Sequence, residues 1–411
     1  MRVAILYQYY QDHGAPGHSL TYELSHDLAR RGHDVHVIAG ETGYMAVEKP
    51  ILPWYRRLLR RETDGSVTVT RALTLSGLHS SYTARLLAFL SYSVLGPLAL
   101  LIAPRPDVVL ASSPPIFPVF TAWIACVLRR IPLVVEIRDL WPASAVQMDI
   151  VRNKLLIGVM SFMERVLYDR ARHIIALTEG IRDDIVARGW GIDKITVITC
   201  GIDLDRMHPQ PDAAARLRND KGWGDQFIVL YFGAIGEANN MPVILRAAER
   251  LKADRNIQFA IVGDGMKRAE TIRKVEENGL SNVTVLPAVP KSAAADYISA
   301  ADLCLVTLRD VPLFKGAIPT KLIDYMACAK PVLCGVRGEA RKILEESGAG
   351  SAFDPDDDER LAELVLKAAA NPKALQRKKG ERGLRYVRAH FSLPALQAKT
   401  EAILLAARAK N

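Results

Sequence analysis

The stretch KGAIPTKLIDYMACAKPV, which begins at Lys315, combines residue types that could bind an anion that also carries hydroxyl groups. A helix starting at Thr320 would present unpaired backbone N–H groups over its first turn, and its dipole would attract phosphate. Lys315 and Lys321 add positive charge near the same helix start. Asp324 follows one turn later on the same face, about 5.4 Å along the axis, where a carboxylate could accept hydrogen bonds from both hydroxyls of a ribose. An ordinary helix whose first-turn acid complements the dipole is the alternative, and the pattern alone leaves both interpretations open.

Three glycine-containing loops follow predicted strands and could bring the backbone close to a ligand. QDHGAPGHS contains Gly14 and Gly17, FGAIGEANNMP contains Gly236, and Gly263 directly follows a strand in IVGDGMKRA. Glycine permits close approach, and a helix that follows favours an anion. For the first loop, an ordinary turn is the alternative. The third loop is not a dinucleotide fingerprint because Arg268 occupies the third glycine position, and the sequence contains no GxxxxGK[ST] phosphate loop.

A charged pair follows the predicted strand LVVEI. Arg138 and Asp139 open the loop RDLWPASA. Charged groups at the carboxyl end of a buried strand are costly unless they serve a site or pair internally, and both alternatives are open. In a site, Asp139 or His13 could orient or deprotonate an acceptor hydroxyl, and Arg138 could pair with a phosphate.

Two Asp-x-Asp pairs, Asp203/Asp205 and Asp354/Asp356, have the residue type of a cation site. The second pair precedes a predicted helix, where acids stabilise the N-terminus, and the first lies in a loop rich in turn-forming residues. The five cysteines include no CxxC pair. We therefore expect no metal site and no disulfide framework, and scattered thiols of this kind are typical of a cytosolic protein.

The formal net charge of +9 favours acidic partners. The segment WYRRLLRR places two aromatic residues beside four arginines, which suits the interface of a membrane that contains anionic lipid. A solvated basic helix is the alternative. The basic segments lack the pattern of a nucleic-acid-binding module, so we expect no nucleic-acid partner. The proposed membrane residues are Trp54, Tyr55, Arg56, Arg57, Arg60 and Arg61.

Residues 86–102 are the nearest approach to a transmembrane segment. This stretch is at the short limit for a span and contains Gly96-Pro97, an interruption that disfavours a span. A core helix and a helix lying in the membrane interface are the two alternatives. The first residues, MRVAILYQYY, lead directly into a strand without the features of a signal peptide.

Short apolar runs alternate with helical patterns along the chain, which predicts parallel sheets covered by helices on both faces. At 411 residues the chain exceeds one hydrophobic core, and the Pro-, Gly- and Asp-containing stretch 200–224 is the best linker candidate. We therefore predict an α/β protein of two doubly wound domains that face each other across a cleft. Ligands would bind outside the carboxyl ends of the strands.

Several blocks of the sequence, taken together, resemble the family 4 retaining glycosyltransferases of the GT-B fold. The chain is most similar to the bacterial branch that builds cell-surface polysaccharides and includes fucosamine-type transferases. The resemblance implies a Rossmann-like acceptor-side domain over residues 1–204, a nucleotide-sugar-binding domain over 205–385, and a helix over 386–411 that packs back on the first domain. The blocks are RRGHDVHVIAG (30–40), SSPPIFP (112–118), PLVVEIRDLWPASA (132–145), LTEGIRDDIVARG (177–189), GIDLDRMHP (201–209), IVGDGMKRA (261–269), NVTVLPAVPKS (282–292) and IPTKLIDYMACAKPVLC (318–334).

The resemblance implies a nucleotide-sugar donor, usually UDP-linked, and transfer with retention of the anomeric configuration and without a catalytic metal. The leaving diphosphate would deprotonate the acceptor hydroxyl. By position in the motifs, Asp324 would hold the ribose, Ala288 and Val289 would line the base, and Gly14 and Gly17 would approach the donor phosphate. The other donor-side positions are Thr320, Lys321, Leu322, Lys315, Gly316, Gly236, Glu237 and Gly263.

Three positions depart from the family pattern. Many members carry two glutamates eight residues apart, where this chain has Gly316 and the shorter Asp324. Glu237 occupies a place often held by a cation, and Ala329 a place commonly held by glycine. Because an anion repels a diphosphate, we expect Glu237 to point away from the phosphates or to contact sugar hydroxyls.

The typical acceptor of the branch is a saccharide on a polyprenyl diphosphate. Such an acceptor would account for the basic aromatic segment and predicts a peripheral protein on the cytoplasmic face of the membrane. Two other classes share the fold and are alternatives: a nucleotide-sugar 2-epimerase, and a non-catalytic subunit that binds a partner transferase.

Overall fold

The computed structural model describes residues 1–11, 20–41, 53–75, 82–147 and 151–409. The predicted site residues His13, Gly14 and Gly17 lie outside these ranges. The chain divides into two compact units: unit 1 consists of Met1–Cys200 with Pro394–Asn411, and unit 2 of Gly201–Leu393.

Unit 1 is built on one eight-stranded sheet. Its strands are β1 (Arg2–Leu6), β2 (Asp34–Gly40), β3 (Leu59–Asp64), β4 (Val67–Ala72), β5 (Val108–Ser113), β6 (Leu133–Ile137), β7 (His173–Ala176) and β8 (Ile195–Val197). The spatial order is β3-β4-β2-β1-β5-β6-β7-β8, and every pairing is parallel except that of β3 with β4. Most strand residues are buried, because helices cover both faces of a parallel sheet.

Two groups of helices cover this sheet. Its helices are α1 (Leu20–Arg30), α2 (Trp54–Arg57), α3 (Tyr82–Ile102), α4 (Ile116–Arg129), α5 (Ala143–Gln147), α6 (Lys154–Arg170), α7 (Glu179–Ala187) and, from the end of the chain, α17 (Leu393–Ala409). Helices α3, α4, α6 and α7 share a core with one face, and α1 and α17 with the other. The Glu401 carboxylate of α17 lies 2.7 Å from His33 Nε2 and 3.2 Å from Arg31 Nη1.

In unit 1 the structure contradicts one local prediction, the interruption at Gly96-Pro97, and one open alternative, the basic helix. Helix α3 runs without a break through Gly96-Pro97, because burial of Phe89, Tyr92 and Leu100 against the sheet offsets the hydrogen bond that proline cannot donate. The segment WYRRLLRR does not form one basic helix, since α2 ends at Arg57 and the chain continues as β3. The signal for this hairpin is Asp64-Gly65, with Gly65 at φ +57°, followed by the alternating pattern VTVT.

Unit 2 is a second doubly wound sheet. Its strands are β9 (Phe227–Phe232), β10 (Ile257–Val262), β11 (Val283–Leu286), β12 (Leu303–Thr307), β13 (Val332–Gly335) and β14 (Gly350–Ala352), in the order β11-β10-β9-β12-β13-β14. All pairings are parallel. Its helices are α8 (Pro211–Asp220), α9 (Met241–Arg250), α10 (Arg268–Glu277), α11 (Ala294–Ala300), α12 (Thr320–Ala327), α13 (Glu339–Ser347), α14 (Asp358–Ala369), α15 (Pro372–Leu375) and α16 (Glu381–His390).

The strand order of unit 2 reverses between β9 and β12. The chain moves from β9 to β10 and β11 on one side, then returns to β12 on the other. The loops after β9 and β12 therefore diverge at the carboxyl edge of the sheet, which is where ligands bind in folds of this kind. Both sheets confirm the predicted α/β architecture of two doubly wound domains. The short strand β14 was not predicted.

Candidate active site

Helix α12 begins directly after the loop that follows β12. Pro319 is its N-cap residue, and the amide of Leu322 donates the first hydrogen bond of the turn to the Pro319 carbonyl at 2.9 Å. The amides of Thr320 and Lys321 precede that bond and lie at the positive end of the helix dipole. Leu322 was a predicted donor-binding residue, but its side chain is fully buried in the core and its amide is bonded, so it supplies packing.

Asp324 is the one residue of α12 beyond its first turn that reaches the surface. From Leu322 to Ala329, every residue other than Asp324 is buried, whereas Asp324 and the helix-start residues Thr320 and Lys321 are partly exposed. Burial raises the pKa of Asp324 to about 6, although the positive charges of Lys291 and Lys321 act in the opposite direction. Asp324 is thus a partly exposed acid on which the charges of Lys291 and Lys321 both act.

Lys321 lies against the end of β9. Its ammonium nitrogen is 3.8 Å from the centre of the Tyr231 ring and donates a hydrogen bond to the Tyr231 hydroxyl, which itself donates to the Ala234 carbonyl at 2.6 Å. A Cβ on Gly233 would approach the Lys321 ammonium to 3.2 Å. Burial lowers the pKa of Lys321 to about 7, while Asp324 raises it. Tyr231, which sequence reasoning missed, therefore positions the cation.

Tyr325 ties α12 to the same strand. Its hydroxyl accepts a hydrogen bond from the amide of Phe232 at 2.8 Å and donates to the Phe232 carbonyl at 3.2 Å. Phe232 is the last residue of β9, immediately before the glycine loop. The helix start and the loop after β9 are therefore held in a fixed relationship by one side chain, which no local sequence pattern indicates.

The loop after β11 brings the predicted base-binding residues to the same edge. Ala288 and Val289 are partly exposed, and Val289 also packs on the core that contains Ile323. Lys291 begins the short 3-10 turn Lys291–Ala293, and its charge reaches Asp324. The block NVTVLPAVPKS contains Lys291, but the sequence did not predict that Lys291 acts on Asp324. That relation depends on the packing of two loops.

The glycine loops contact each other. A Cβ on Gly263 would lie 1.8 Å from the Gly233 carbonyl oxygen, and one on Gly265 would lie 2.5 Å from that of Ile235. Gly263 is buried, and its amide donates to the Leu286 carbonyl at 3.2 Å. The glycine at 263 is thus required by the approach of a neighbouring backbone, which is a different reason from the predicted approach of a ligand.

Glu237 forms two ion pairs. Its carboxylate oxygens lie 3.1 Å from Lys267 Nζ and 3.1 Å from Arg309 Nη1. These cations, which sequence reasoning missed, neutralise the acid that departs from the family pattern. A cavity of about 430 Å³ adjoins this cluster and is lined by Gly236, Glu237, Asn240, Met241, Pro242, Leu245, Lys267, Glu270, Thr271, Lys274, Arg309, Asp310, Val311 and Asp356.

Lys315 and Gly316 end the 3-10 turn Pro312–Gly316 that leads towards α12. Lys315 is exposed and Gly316 partly exposed. The Lys315 carbonyl oxygen packs against Gly338, where a Cβ would approach it to 2.0 Å at a φ of +77°. The turn is therefore held in place by a glycine on the opposite loop.

In unit 1, Arg138 pairs with Glu136 and not with Asp139. Arg138 Nε donates to Glu136 at 2.7 Å, and its guanidinium lies 4.3 Å from the centre of the Tyr7 ring. Burial by itself lowers the pKa of Arg138, but Glu136 and the other acceptors around it outweigh burial and raise it. The internal-pairing alternative thus holds for Arg138. Burial raises the pKa of Asp139, which accepts a hydrogen bond from the Leu140 amide at 2.9 Å.

The predicted membrane residues differ in their surroundings. Trp54 and Tyr55 are 66% and 58% exposed, and Arg56 and Arg61 are also exposed. By contrast, Arg57 forms a two-bond ion pair with the nearly buried Glu41. A sixth residue, Arg60 on β3, is paired with Glu62 at 2.9 Å.

The two Asp-x-Asp pairs lie in protein-only interactions. Asp203 accepts a hydrogen bond from the Asp205 amide at 3.0 Å and pairs with Arg206, and Asp354 pairs with Arg341 at 2.9 Å. Within the described ranges, no group of three or more His, Cys, Asp or Glu side chains is arranged to hold a metal ion. No helix in the same ranges is both long and apolar enough to cross a membrane.

Comparisons with known proteins place the chain in a family. The model described as "Glycosyl transferase 4-like domain" matches residues 18–201, and "Glycosyl transferases group 1" matches residues 214–384. The alpha-galactosylglucosyldiacylglycerol synthase of Streptococcus pneumoniae is 26% identical over 51% of this chain and 54% of that protein. The putative colanic acid biosynthesis glycosyl transferase WcaI of Escherichia coli K12 is 23% identical over 86% of this chain and 88% of that protein.

The chain spans about half the length of several other curated relatives that it matches, between 44% and 56% of each. Among solved structures, Anabaena HepE in complex with UDP and glucose superposes with a TM-score of 0.73 at 16% identity, over 98% of both chains. That likeness is one of fold. Since the two family models together cover most of the sequence, the chain belongs to the family 4 glycosyltransferases of the GT-B fold.

Proposed function

We propose that this protein transfers a sugar, of the hexosyl or N-acetylhexosaminyl type, from a UDP-linked donor to a saccharide carried on a polyprenyl diphosphate. The start of α12 carries the proposal. There the amides of Thr320 and Lys321 and the Lys321 ammonium face the same edge as the Asp324 carboxylate one turn later. Helix amides and a cation suit a diphosphate, and a carboxylate suits two ribose hydroxyls.

The chemistry follows from this arrangement. In a retaining transfer, the bond between the anomeric carbon and the diphosphate oxygen breaks, and the acceptor oxygen bonds to that carbon on the same face. The acceptor proton moves to the leaving diphosphate. Lys321 and the α12 dipole would stabilise the negative charge that develops on the diphosphate. We propose that this transfer takes place without a catalytic metal. Asp324 would hold the nucleoside so that the sugar is correctly oriented.

The relatives support the class of donor and acceptor. HepE binds UDP and glucose, the S. pneumoniae relative is named as a synthase of a glycosylated diacylglycerol, and WcaI is named for colanic acid biosynthesis. We therefore propose a role in cell-surface polysaccharide synthesis, at the cytoplasmic face of the membrane. Trp54, Tyr55, Arg56 and Arg61, all exposed, would make peripheral contact with anionic lipid there.

Donor turnover with and without acceptor tests the proposal. The protein is incubated with a panel of UDP- and GDP-sugars, alone and with lipid-linked saccharides, in the presence of a chelator. We expect nucleotide release and a larger glycolipid only when acceptor is present. Conversion of the donor in the absence of acceptor would indicate an epimerase instead. No detectable affinity for UDP at millimolar nucleotide would indicate a non-catalytic subunit.

A matched pair of variants links the activity to the site. Lys321→Met keeps the length of the side chain but removes its charge, and we expect it to abolish most of the transfer. Lys221→Met removes an exposed lysine just beyond the end of α8 and should leave transfer unchanged. Equal loss in both variants would mean that Lys321 has no specific role.

A further inference from the structure

Three neighbouring helices of unit 1 expose apolar side chains on their outer faces. Helices α3, α4 and α6 pack side by side on one face of the sheet. On each helix the exposed apolar residues recur three or four positions apart, which places them on one stripe that points away from the core. They are Leu87, Leu90, Val94, Leu98, Leu101 and Ile102 on α3, Ile124, Val127 and Leu128 on α4, and Leu155, Val159 and Phe162 on α6.

These stripes form one surface, which we call the three-helix face. The rings of Phe120 on α4 and Phe162 on α6 are 6.4 Å apart, so the apolar surface continues from one helix to the next. Neither α3 nor α4 contains an aspartate or glutamate. An exposed apolar area of this extent marks an interaction site in a soluble domain.

A cationic cavity adjoins the three-helix face. It has a volume of about 810 Å³ and is lined by Val127 of that face and by the half-buried Trp123. Leu133, the first residue of β6, also lines it, so the cavity lies at the amino edge of the sheet, opposite the loop that holds Arg138. Its basic lining residues are Arg105, Arg130, Arg170, Arg172 and Lys194, against the single acid Asp169.

The cavity retains positive charge after its internal contacts are considered. Lys194 donates to the carbonyls of Tyr168 and Asp169 at 2.8 and 2.7 Å, and the Asp169 carboxylate accepts from Trp190 Nε1 at 2.7 Å. Carbonyl oxygens carry no formal charge, so these hydrogen bonds do not neutralise the ammonium; Asp169 and Asp193 act on it electrostatically, and the lining still holds five basic side chains against one acid. Arg130 adopts the left-handed conformation, with φ at 52°, which costs energy in a residue other than glycine.

We propose that the three-helix face docks unit 1 on a lipid bilayer and that the cavity receives the phosphate of an anionic phospholipid. Apolar side chains that enter the acyl boundary, next to arginines at headgroup depth, are the pattern of an interfacial protein surface. A second copy of the chain is a poorer occupant, because two such cavities would bring positive charges together. This proposal adds a docking surface to the proposed function but does not depend on transfer activity.

Vesicle co-sedimentation of the full-length protein, without donor, tests the proposal. The vesicles contain phosphatidylcholine alone or phosphatidylcholine with phosphatidylglycerol. The apolar variant is Leu128→Ser/Leu155→Ser/Phe162→Ser, at residues that are 70%, 79% and 60% exposed. Its control is Ile192→Ser/Met266→Ser/Leu366→Ser, at residues that are 61%, 74% and 46% exposed and lie outside the three-helix face.

We expect the apolar variant to bind anionic vesicles at least about tenfold more weakly than the unmodified protein. The control variant should bind them as well as the unmodified protein does. The charge variant is Arg130→Asn/Arg170→Ser, in which asparagine tolerates the left-handed conformation. It should bind the anionic vesicles several-fold more weakly and the phosphatidylcholine vesicles as well as the unmodified protein does. Thermal unfolding and UDP calorimetry should match the unmodified protein in each case, which separates this result from a failure of the proposed function.

Three results would overturn the proposal. The first is that the unmodified protein binds neither kind of vesicle. The second is that the apolar variant binds anionic vesicles as well as the unmodified protein does. The third is that the unmodified protein sediments as a dimer without lipid while the apolar variant sediments as a monomer. The three-helix face would then be an interface between two copies of the chain.

Discussion

The ammonium nitrogen of Lys321 lies 3.8 Å from the centre of the Tyr231 ring, on the side of α12 where Asp324 follows one turn later. The ring attracts the cation, yet burial lowers the pKa of Lys321 to about 7 and raises that of Asp324 to about 6. Both groups therefore change charge close to neutral pH. A bound nucleoside diphosphate would favour the charged form of each, since phosphate attracts the ammonium and ribose hydroxyls donate to the carboxylate.

The first prediction concerns the pH dependence of donor binding. Affinity should rise as the pH increases through about 6, because Asp324 becomes ionised, and should fall as the pH increases through about 7, because Lys321 loses its proton. The measurement is calorimetry with a UDP-hexose from pH 5 to 9, since free UDP carries a terminal phosphate that titrates near pH 6. The Lys321→Met variant should lose the fall on the alkaline side, and an unchanged profile would contradict the assignment.

The second prediction concerns the carboxylate of Asp324. Asp324→Asn keeps the shape of the side chain but removes its charge and one of its acceptor oxygens, and we expect UDP affinity to fall by about 1–3 kcal/mol. Asp220→Asn, at an exposed position at the end of α8, is the matched control and should bind UDP normally. Equal affinities of the two variants would remove Asp324 from the site.

The geometry of the α12 part of the candidate site could be predicted because its signals are local. A helix start, its lysine and an acid one turn later are set by the 3.6-residue period, so Lys321 and Asp324 share one edge as the sequence indicates. Tyr231 and Lys291 could not be predicted in the same way. They reach the site from β9 and from the loop after β11, and only the packing of distant segments determines those contacts.

The errors in unit 1 have a similar origin. Gly96-Pro97 weakens a helix locally, but the buried side of α3 packs on the sheet and the helix continues. The strand β3 was predictable, because Asp64-Gly65 and the alternating residues after it indicate a hairpin. The three-helix face emerges only when helices from three parts of the sequence are placed together.

The third prediction separates the two possible reasons for Gly263. If its role is the contact with the Gly233 carbonyl, Gly263→Ala should lower the free energy of unfolding by about 1–3 kcal/mol or more, since a backbone atom 1.8 Å away cannot move aside easily. Gly158→Ala, in α6 with nothing within 4 Å of the added Cβ, should raise it by about 0.5–1 kcal/mol. Urea denaturation measures both. A stable Gly263→Ala protein that fails to bind UDP would instead indicate contact with the ligand.

The fourth prediction concerns the arginines beside Trp54. Arg57→Ser leaves the nearly buried Glu41 carboxylate without its two hydrogen bonds and should lower the free energy of unfolding by about 1–3 kcal/mol. Arg56→Ser, next to it but exposed, should leave stability within about 0.5 kcal/mol. Only the exposed Arg56 and Arg61 are therefore suitable for vesicle-binding variants of this segment. Equal stability of the two single variants would show that Arg57 has no structural role.

The fifth prediction concerns Tyr325, whose hydroxyl bonds both the amide and the carbonyl of Phe232. Tyr325→Phe preserves the buried ring but leaves those two backbone groups without that partner, so the free energy of unfolding should fall by about 1–3 kcal/mol. Tyr386→Phe, whose hydroxyl donates to the surface residue Glu346 at 2.8 Å, should cost less. Because Tyr325 fixes the start of α12 against β9, its variant should also bind UDP more weakly in calorimetry at a temperature where it is fully folded. Loss of stability with unchanged UDP affinity would show that the α12 start keeps its geometry without this link.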